Sequence, residues 1–427
     1  MNFNNLKLVK EGILAFIIKI VGAITGFIYT IILSKQFDAE GVGIYSLALS
    51  IITLGLIFSK FGLENALIKF SSIYKERNVG KTIRQLYRDS LFFSTITSIF
   101  IIIVLIIMAP IISKYIYKKE NLMIPLIIMS LTVLPTTLLT ITTATLKGLG
   151  QVKLAMFLES VLATLINILL LILFSTFFKV NNISFIIILY LVGYLITMLL
   201  SLYYGKKTKE HYNDKVDSSY KFKKVIEVSL PLLMVSSMNY ILSSTDTIML
   251  GLWTTEANIG VYNVAIKITQ ISSMLLIAIN SVLGPKFSVL FANNDKDSII
   301  KIVKKTTHMM LIVGILFFIG IITFGDFILG IFGREFIVGK SVLFITAIGQ
   351  LIVLATGPVA TLLMMTGHEK VHRNNTIFCG IINIILNLIL IPSMGIVGAA
   401  VATTISLIIK NISAVILVYR KLHIIIF

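Results

Sequence analysis

The sequence has few charged residues and a single cysteine. Only 13% of its 427 residues are charged, about half the share of a soluble domain. Apolar residues make up 57% of the chain, and its mean hydropathy is +0.98. A water-soluble fold of this length cannot bury so much apolar surface. This scarcity of charge excludes a soluble enzyme, a disordered regulator and a nucleic-acid-binding domain, and favours a polytopic membrane protein.

Acidic residues are scarcer than basic ones. The chain has 19 Asp and Glu residues and 37 Lys and Arg residues, which gives a net charge of +18. The basic residues lie between hydrophobic runs, a pattern typical of membrane topology rather than of nucleic-acid binding. The lone cysteine, Cys379, excludes an intrachain disulfide. The sequence predicts no resident cofactor, no metal site and no nucleic-acid partner.

Long apolar runs fill most of the chain. A bilayer core of about 30 Å requires about 20 apolar residues in a helix. Twelve runs meet this requirement, and they cover residues 12–33, 42–60, 91–113, 122–146, 154–178, 184–204, 225–251, 259–284, 306–330, 341–366, 374–392 and 397–419. The first run is too long for a signal-peptide core and lacks a small-residue cleavage site after it. The sequence therefore predicts an all-α integral membrane protein of twelve transmembrane helices.

The basic residues predict the orientation of these helices. With twelve spans, both termini lie on one side, and 27 of the 37 basic residues lie on that side. By the positive-inside rule, both termini are predicted to be cytoplasmic in a multi-pass protein of the cytoplasmic (inner) membrane. Two basic segments, 61–90 and 205–224, are predicted to be cytoplasmic loops. The second falls halfway along the chain and is predicted to link two halves.

The two halves resemble each other at one constant offset. The aligned pairs are 43–51 with 260–268, 69–71 with 286–288, and Gly150 and Lys153 with Gly367 and Lys370. Each half holds six spans, so both have the same orientation, and a pseudo-twofold axis along the membrane normal is predicted. The expected lobes are 1–204 and 225–427, joined by the linker 205–224. This arrangement is typical of transporters that work by alternating access.

Four segments carry a resemblance to a known family. They are residues 37–45 (FDAEGVGIY), 61–67 (FGLENAL), 147–151 (KGLGQ) and 245–251 (TDTIMLG). The chain resembles bacterial polysaccharide flippases of the Wzx type, which share a superfamily and an extruder-like fold with multidrug extruders and lipid II flippases. The similarity extends over essentially the whole chain.

The resemblance implies a cargo and a source of energy. The cargo would be an undecaprenyl-pyrophosphate-linked oligosaccharide, moved from the cytoplasmic to the outer leaflet for a surface polymer such as O-antigen, capsule or exopolysaccharide. The family has a cationic central cavity and couples transport to an H⁺ or Na⁺ gradient, as an antiporter does. A polysaccharide polymerase is a candidate partner.

Lysines within or beside the spans are the candidate substrate-binding residues. An ionisable side chain inside a membrane costs free energy, so its presence there indicates a function. Lys19 lies about 10 Å into the first span at 1.5 Å per residue, and Lys267 lies at a similar depth in the eighth. Lys69 and Lys286 occupy equivalent repeat positions at the predicted cytoplasmic mouth. The alternatives are snorkelling for Lys19 and Lys267, and plain topology signals for Lys69 and Lys286. Lys410, in the last span, is expected to snorkel.

Asp246 is the first candidate for ion coupling. It lies deep in the seventh span among Ser and Thr residues 243–247. Its carboxylate can bind Na⁺ with oxygen neighbours, or carry a proton if desolvation raises its affinity for one. The alternative is an interhelical ion pair with Lys267.

Three further residues are candidates for ion coupling or gating. Glu159, in the fifth span, can face the cavity or pair with Lys153. Glu64 and Asn65 follow the second span and can gate the cytoplasmic mouth, or form an ordinary polar cluster at a helix end.

Two other functions fit parts of the sequence. A multidrug extruder of the same fold would use acidic residues in the N-terminal lobe, where the first span has Lys19 instead. The HExxH pattern of 368–372 matches zinc metalloproteases. The sequence offers no third zinc ligand at a suitable spacing. In the repeat register the segment corresponds to a short loop at Gly150, so a protease is disfavoured.

Overall fold

The computed structural model describes residues 3–426 except 178–181, 211–212, 214 and 219. Within these residues the chain is helical and contains no strand, which confirms the predicted all-α class. The α-helices are α1 (Phe3–Lys60), α2 (Leu63–Glu76), α3 (Gly80–Pro110), α4 (Met123–Ser130), α5 (Val133–Gly148), α6 (Val152–Met156), α7 (Ala163–Phe177), α8 (Ile183–Glu210), α9 (Phe222–Trp253), α10 (Glu256–Ala292), α11 (Lys296–Gly330), α12 (Lys340–Thr356), α13 (Val359–Met365) and α14 (Glu369–Leu422).

The helices follow the twelve predicted runs. In the described part of the chain, 8 helical segments are long and apolar enough to cross a membrane, and 2 bent helix pairs meet the same test together. Two of the 8 segments, Ile17–Glu76 with 60 residues and Glu369–Leu422 with 54, each cover two of the predicted runs, the first of them from Ile17 onward. The apolar segments therefore accommodate all twelve spans.

The two longest helices are each interrupted between their predicted spans. Asp38 in α1 has φ 53°, and Gly395 in α14 has φ 56° and ψ −131°. Glycine adopts this backbone without a Cβ clash, and aspartate tolerates the left-handed region better than most residues. Both interruptions lie where the sequence predicts a short connection between spans.

The predicted loop 61–90 is partly helical instead. It contains α2, whose buried residues are Leu63, Ala66, Leu67, Ser71 and Tyr74. Their spacing follows one face of an α-helix. A search for span-length runs overlooks this helix because it has 14 residues and apolar side chains on one face only. Within the predicted linker 205–224, α8 continues to Glu210 and α9 begins at Phe222.

The first compact unit comprises Met1–Phe37 and Ile44–Ile241. Its core joins α2, α3, α5 and the start of α9. Part of the linker binds the beginning of α3: the Asn213 Oδ1 accepts a hydrogen bond from the Gly80 N–H at 3.1 Å. The Arg77 guanidinium contacts the Asp217 carboxylate at 3.0 Å, and the Tyr220 hydroxyl donates to Asp89 at 3.0 Å. These bonds attach the linker to this unit.

The second compact unit comprises Asp38–Gly43 and Leu242–Phe427. Its core packs the end of α10, the start of α11, α13 and the end of α14 around Phe287, Val303, Leu362 and Val418. At the start of α11, hydrogen bonds from the Ser298 side chain and from its N–H, the latter at 3.0 Å, lower the pKa of the Asp295 carboxyl group. The lobes 1–204 and 225–427 remain a prediction.

Two glycines that are equivalent in the repeat meet inside the second unit. A Cβ on Gly43 would overlap the Glu256 carbonyl oxygen, and a Cβ on Gly260 would overlap the Ala39 carbonyl oxygen. In the repeat register, Gly43 corresponds to Gly260 and Ala39 to Glu256, so the contact is reciprocal.

Substitution of either glycine should destabilise the protein. We expect Gly43→Ala and Gly260→Ala each to lower the free energy of unfolding by about 1–3 kcal/mol, because the added methyl forces two backbones apart. Thermal unfolding of the purified protein measures this. Gly26→Ala is the matched control in α1, because a Cβ there meets nothing within 4 Å. Equal melting temperatures for all three variants would contradict the contact.

Candidate cation site

Asp246 lies near the end of α9 and is buried, with 8% of its surface exposed. Three side chains donate hydrogen bonds to its carboxylate. The Tyr262 hydroxyl on α10 donates at 2.7 Å, the Asn387 Nδ2 on α14 donates at 2.5 Å, and the Thr403 hydroxyl on α14 donates as well. We name these four residues, with Asn383, the Asp246 cluster.

A kink in α14 brings two parts of this cluster together. Asn383 and Asn387 precede Gly395, and Thr403 follows it. The Asn383 Nδ2 donates to the Thr403 Oγ1 at 3.3 Å, and its Oδ1 accepts from the Asn387 Nδ2 at 3.1 Å. The two Asn side chains lie on one face of the helix because they are four residues apart.

The donors to Asp246 are all neutral. Within the described residues, the ion pair with Lys267 that the sequence allowed is not formed; hydroxyl and amide groups take its place. Such groups satisfy the hydrogen bonds of a buried carboxylate but leave its negative charge uncompensated. The site can therefore gain stability from a bound cation or a proton.

The oxygen atoms around Asp246 suit a small hard cation. The carboxylate, the Thr403 Oγ1 and the Tyr262 hydroxyl oxygen already converge on one point, and hard cations prefer oxygen ligands. Asn387 is fully buried, and its Oδ1 has no hydrogen-bond partner among the described residues. Rotation of this amide by half a turn would direct its oxygen toward Asp246, since the two orientations have nearly the same shape.

The sequence indicates Asp246 as a candidate site residue but does not indicate the side chains that donate hydrogen bonds to it. Tyr262 and Thr403 are ordinary residues in apolar helices and carry no signal alone. Asn383 and Asn387 were visible as an i, i+4 pair of amides within an apolar run. Their spacing favours hydrogen bonds to a neighbouring helix without indicating the partner, which for Asn387 is Asp246.

In the first unit, Glu159 forms an ion pair with a different lysine from Lys153, the partner considered from the sequence. The Lys147 Nζ lies 2.5 Å from the Glu159 Oε2, so Lys147 rather than Lys153 is its partner. The Thr143 hydroxyl also approaches this carboxylate, at 3.4 Å. Glu159 lies in a π-helical segment, Phe157–Leu162, and such segments are frequent at functional sites.

The other predicted site residues lie on exposed or half-buried surfaces. The side chains of Lys19, Lys267, Lys69, Lys286 and Asn65 are exposed. The half-buried Glu64 forms an ion pair one helical turn away, with 3.5 Å between its Oε2 and the Lys60 Nζ. The substrate-binding and gating roles of these residues remain predictions.

Charge reversal tests the Lys147–Glu159 pair. Lys147→Glu and Glu159→Lys each place like charges together, and the double variant restores attraction. Because both side chains are partly exposed, we expect a coupling free energy of about 1 kcal/mol from a double-mutant cycle of thermal unfolding. Lys153→Glu, the control, should leave stability unchanged. Strict additivity of the two reversals would contradict the pairing.

Removal of the Asp246 charge tests the cation site. For the wild-type protein we expect stabilisation by Na⁺ or by a lower pH, about 2.7 kcal/mol at a concentration 100 times the Kd. Asp246→Asn keeps the shape of the side chain and should abolish that stabilisation. Melting temperatures in NaCl and choline chloride at matched ionic strength, and across pH, measure it. Asp326→Asn, which changes an exposed acidic residue of the same unit, should keep the wild-type change in melting temperature. A wild-type change in melting temperature in Asp246→Asn would refute cation binding at Asp246.

Comparison with known proteins identifies the family. The family described as "Polysaccharide biosynthesis protein" matches residues 8–291, and the MatE family matches residues 231–389. The probable low-salt glycan biosynthesis flippase Agl15 of Haloferax volcanii is 31% identical over 181 residues, 42% of this chain and 38% of that protein. The capsular polysaccharide biosynthesis protein CapF of Staphylococcus aureus is 25% identical over 215 residues, 50% of this chain and 53% of that protein. The chain thus spans about half, or less, of the length of these relatives.

Solved structures show the same fold. The lipid II flippase MurJ, in an inward closed conformation, matches with a TM-score of 0.75 and 16% identity over 95% of this chain and 87% of that one. An inward-facing multidrug resistance MATE transporter of the MOP superfamily matches with a TM-score of 0.76 and 14% identity over 96% and 98%. Agl15 is named as a probable flippase, MurJ as a flippase and the MATE protein as a transporter, and none of these three is named as a protease. The chain belongs to the polysaccharide biosynthesis protein family and has the membrane-protein fold shared by MurJ and the MATE transporters.

Proposed function

We propose that the protein is a flippase for a lipid-linked oligosaccharide. It moves undecaprenyl-pyrophosphate-linked repeat units from the cytoplasmic to the outer leaflet for the synthesis of a surface polysaccharide. The observation that carries this proposal is the match of residues 8–291 to the polysaccharide biosynthesis family, together with relatives that are named as glycan flippases. The internal repeat supports alternating access, because transporters built from such repeats rock around a site between them.

We propose that the Asp246 cluster couples flipping to an H⁺ or Na⁺ gradient. Insertion of an aspartate at the centre of a membrane helix costs about 2.5–3.5 kcal/mol, so a buried one with neutral ligands is unfavourable without a function. Binding of a cation at Asp246 would favour the conformation that holds the carboxylate desolvated. A ligand shifts a conformational equilibrium only through its different affinity for the two states. Glu159, Glu64 and Asn65 are secondary candidates for coupling or gating.

We propose that four lysines attract the anionic headgroup. Lys19, Lys267, Lys69 and Lys286 have exposed side chains, as residues that bind a ligand require. A pyrophosphate carries negative charge, and its attraction to an ammonium group strengthens where water is scarce. The polyprenyl tail would remain in the bilayer while the headgroup crosses.

The same proposal includes the placement of the protein in the cell. The distribution of basic residues supports cytoplasmic termini and a location in the cytoplasmic membrane. A flippase of this kind delivers its product to the outer leaflet, where a polysaccharide polymerase is the natural partner.

A multidrug extruder is the second candidate function. The MatE match to residues 231–389 and the MATE-like fold favour it. A cationic drug would be repelled by the predicted lysines, whereas an anionic glycan lipid would be attracted. The electrostatic character of the chain, with a net charge of +18, therefore favours the flippase.

Deletion of the gene distinguishes these functions. We expect loss of surface polysaccharide and accumulation of polyprenyl-pyrophosphate-linked repeat units on the cytoplasmic leaflet, because synthesis continues while export stops. Quantification of both by mass spectrometry and leaflet-specific labelling measures this. Complementation with the wild-type gene should restore export, and complementation with Lys19→Ala plus Lys267→Ala should not. Unchanged polymer with increased sensitivity to cationic drugs would refute the flippase and support the extruder.

A further inference from the structure

A line of polar side chains runs along α14 before its kink. His372, Thr376, Cys379, Asn383 and Asn387 are spaced four, three, four and four residues apart. This spacing places them on one face of an α-helix. The line ends at the Asp246 cluster, to which Asn383 and Asn387 belong.

A second polar line, formed by Thr403, Ser406, Lys410 and Ser413 on α14 after the kink, lies against the first line and the neighbouring Asn375. The Asn375 Nδ2 donates to the Lys410 carbonyl oxygen at 3.0 Å, and the Ser413 hydroxyl donates to the Asn375 Oδ1 at 2.7 Å. At the other end, Asn383 bonds to Thr403 at 3.3 Å. These bonds hold the two lines against each other over more than two helical turns.

A cavity of about 70 Å³ lies between the two lines. Its polar lining consists of Thr376, Cys379, Asn383, Thr403, Ser406 and Lys410. A water molecule needs about 10–15 Å³ of such space and two to four polar partners, so the cavity has room and ligands for several waters. Two of its lining residues, Asn383 and Thr403, belong to the Asp246 cluster, so the cavity reaches the site.

Three members of the first polar line have a buried polar atom without a hydrogen-bond partner among the residues that the structure describes. The Nδ1 of His372, the Oγ1 of Thr376 and the Oδ1 of Asn387 are buried and have no hydrogen-bond partner within the described part of the chain. Buried polar groups in proteins almost always have a partner, either from the protein or from ordered water. Three such atoms on one face of one helix indicate a hydrated path rather than three separate defects.

We propose that this cavity is the path by which a small cation reaches Asp246 from the end of α14 that carries His372. The proposal deepens the ion-coupling part of the proposed function and rests on Asp246 being the cation site. The cation is Na⁺, or a proton that moves along the waters of the cavity. Polar side chains inside a membrane protein commonly mark such paths.

Lys410 sets the affinity of the site in this proposal. Lys410 is the cationic residue in the cavity lining, and His372 and Cys379 are its titratable neighbours. Seven residues separate it from Thr403, about 10 Å along the helix. At that distance and an effective dielectric of about 20, the repulsion weakens cation binding at Asp246 roughly tenfold. A weaker site releases its cation faster, which a transport cycle requires.

The only cysteine of the chain reports directly on access to the cavity. Ag⁺ is the probe, because it is a monovalent cation that binds thiols. We expect Ag⁺ to react with Cys379 in the folded protein in lipid nanodiscs, as measured by protection of the thiol from a maleimide added after denaturation. Cys379→Ser gives the background. A thiol that reacts only after unfolding would refute the access path.

Narrowing of the cavity provides a matched comparison. Ser406→Leu adds apolar volume to the lining and should slow the reaction of Cys379 with Ag⁺ at least tenfold. Ser393→Leu, on an exposed part of the same helix, should leave the rate unchanged. Equal rates in the two variants would show that Ag⁺ arrives by another route.

The affinity of the cation site tests the role of Lys410. Lys410→Gln should tighten the Kd for Na⁺, or the proton affinity, roughly tenfold, and Lys410→Arg should match the wild type. Melting temperatures over a series of NaCl concentrations and pH values measure both ions. An unchanged affinity in Lys410→Gln would refute the role of Lys410.

Failure of this inference is distinguishable from failure of the proposed function. If neither Na⁺ nor a lower pH stabilises the wild-type protein, ion coupling at Asp246 is wrong whatever Cys379 does. If one of them does while Ag⁺ cannot reach Cys379, only the path is wrong. Glycan export is measured separately in cells and fails or persists independently of both results.

Discussion

The structure depends on one unfavourable feature, a buried carboxylate inside an apolar helical unit. Asp246 is surrounded by hydroxyl and amide groups that satisfy its hydrogen bonds and leave its charge uncompensated. Desolvation of this charge costs free energy that a neutral side chain would not require. The chain instead holds the carboxylate of α9 with polar side chains from two other helices, α10 and α14, which is the expected arrangement when the carboxylate acts in transport.

The kink at Gly395 is what makes this site possible. It lets the two halves of α14 face each other, so that Asn383, Asn387 and Thr403 reach the same carboxylate. Transporters often build ion sites at discontinuous helices because interrupted segments present polar groups within the membrane. The cavity beside Lys410 lies between the same two halves, so the kink shapes both the site and the proposed path to it.

The sequence predicts the membrane-spanning helices well and the partners of their charged residues poorly. Hydropathy identifies the spans because a bilayer imposes a length and an apolar composition on each one. Asp246 is visible because charge within a span is rare. Its ligand Tyr262 is not visible, since a tyrosine in a helix has no pattern that indicates its partner. Glu159 shows the same limit: Lys153 is closer along the chain, but the turn between α5 and α6 brings Lys147 to it.

The central claim is that a cation at Asp246 drives the movement of a glycan lipid. The most direct test is flipping of a polyprenyl-pyrophosphate-linked oligosaccharide by the purified protein in proteoliposomes, with an imposed Na⁺ or pH gradient. The account predicts that one of these gradients accelerates flipping and that dissipating it with an ionophore returns the rate to baseline. Flipping at the same rate with and without both gradients would contradict it.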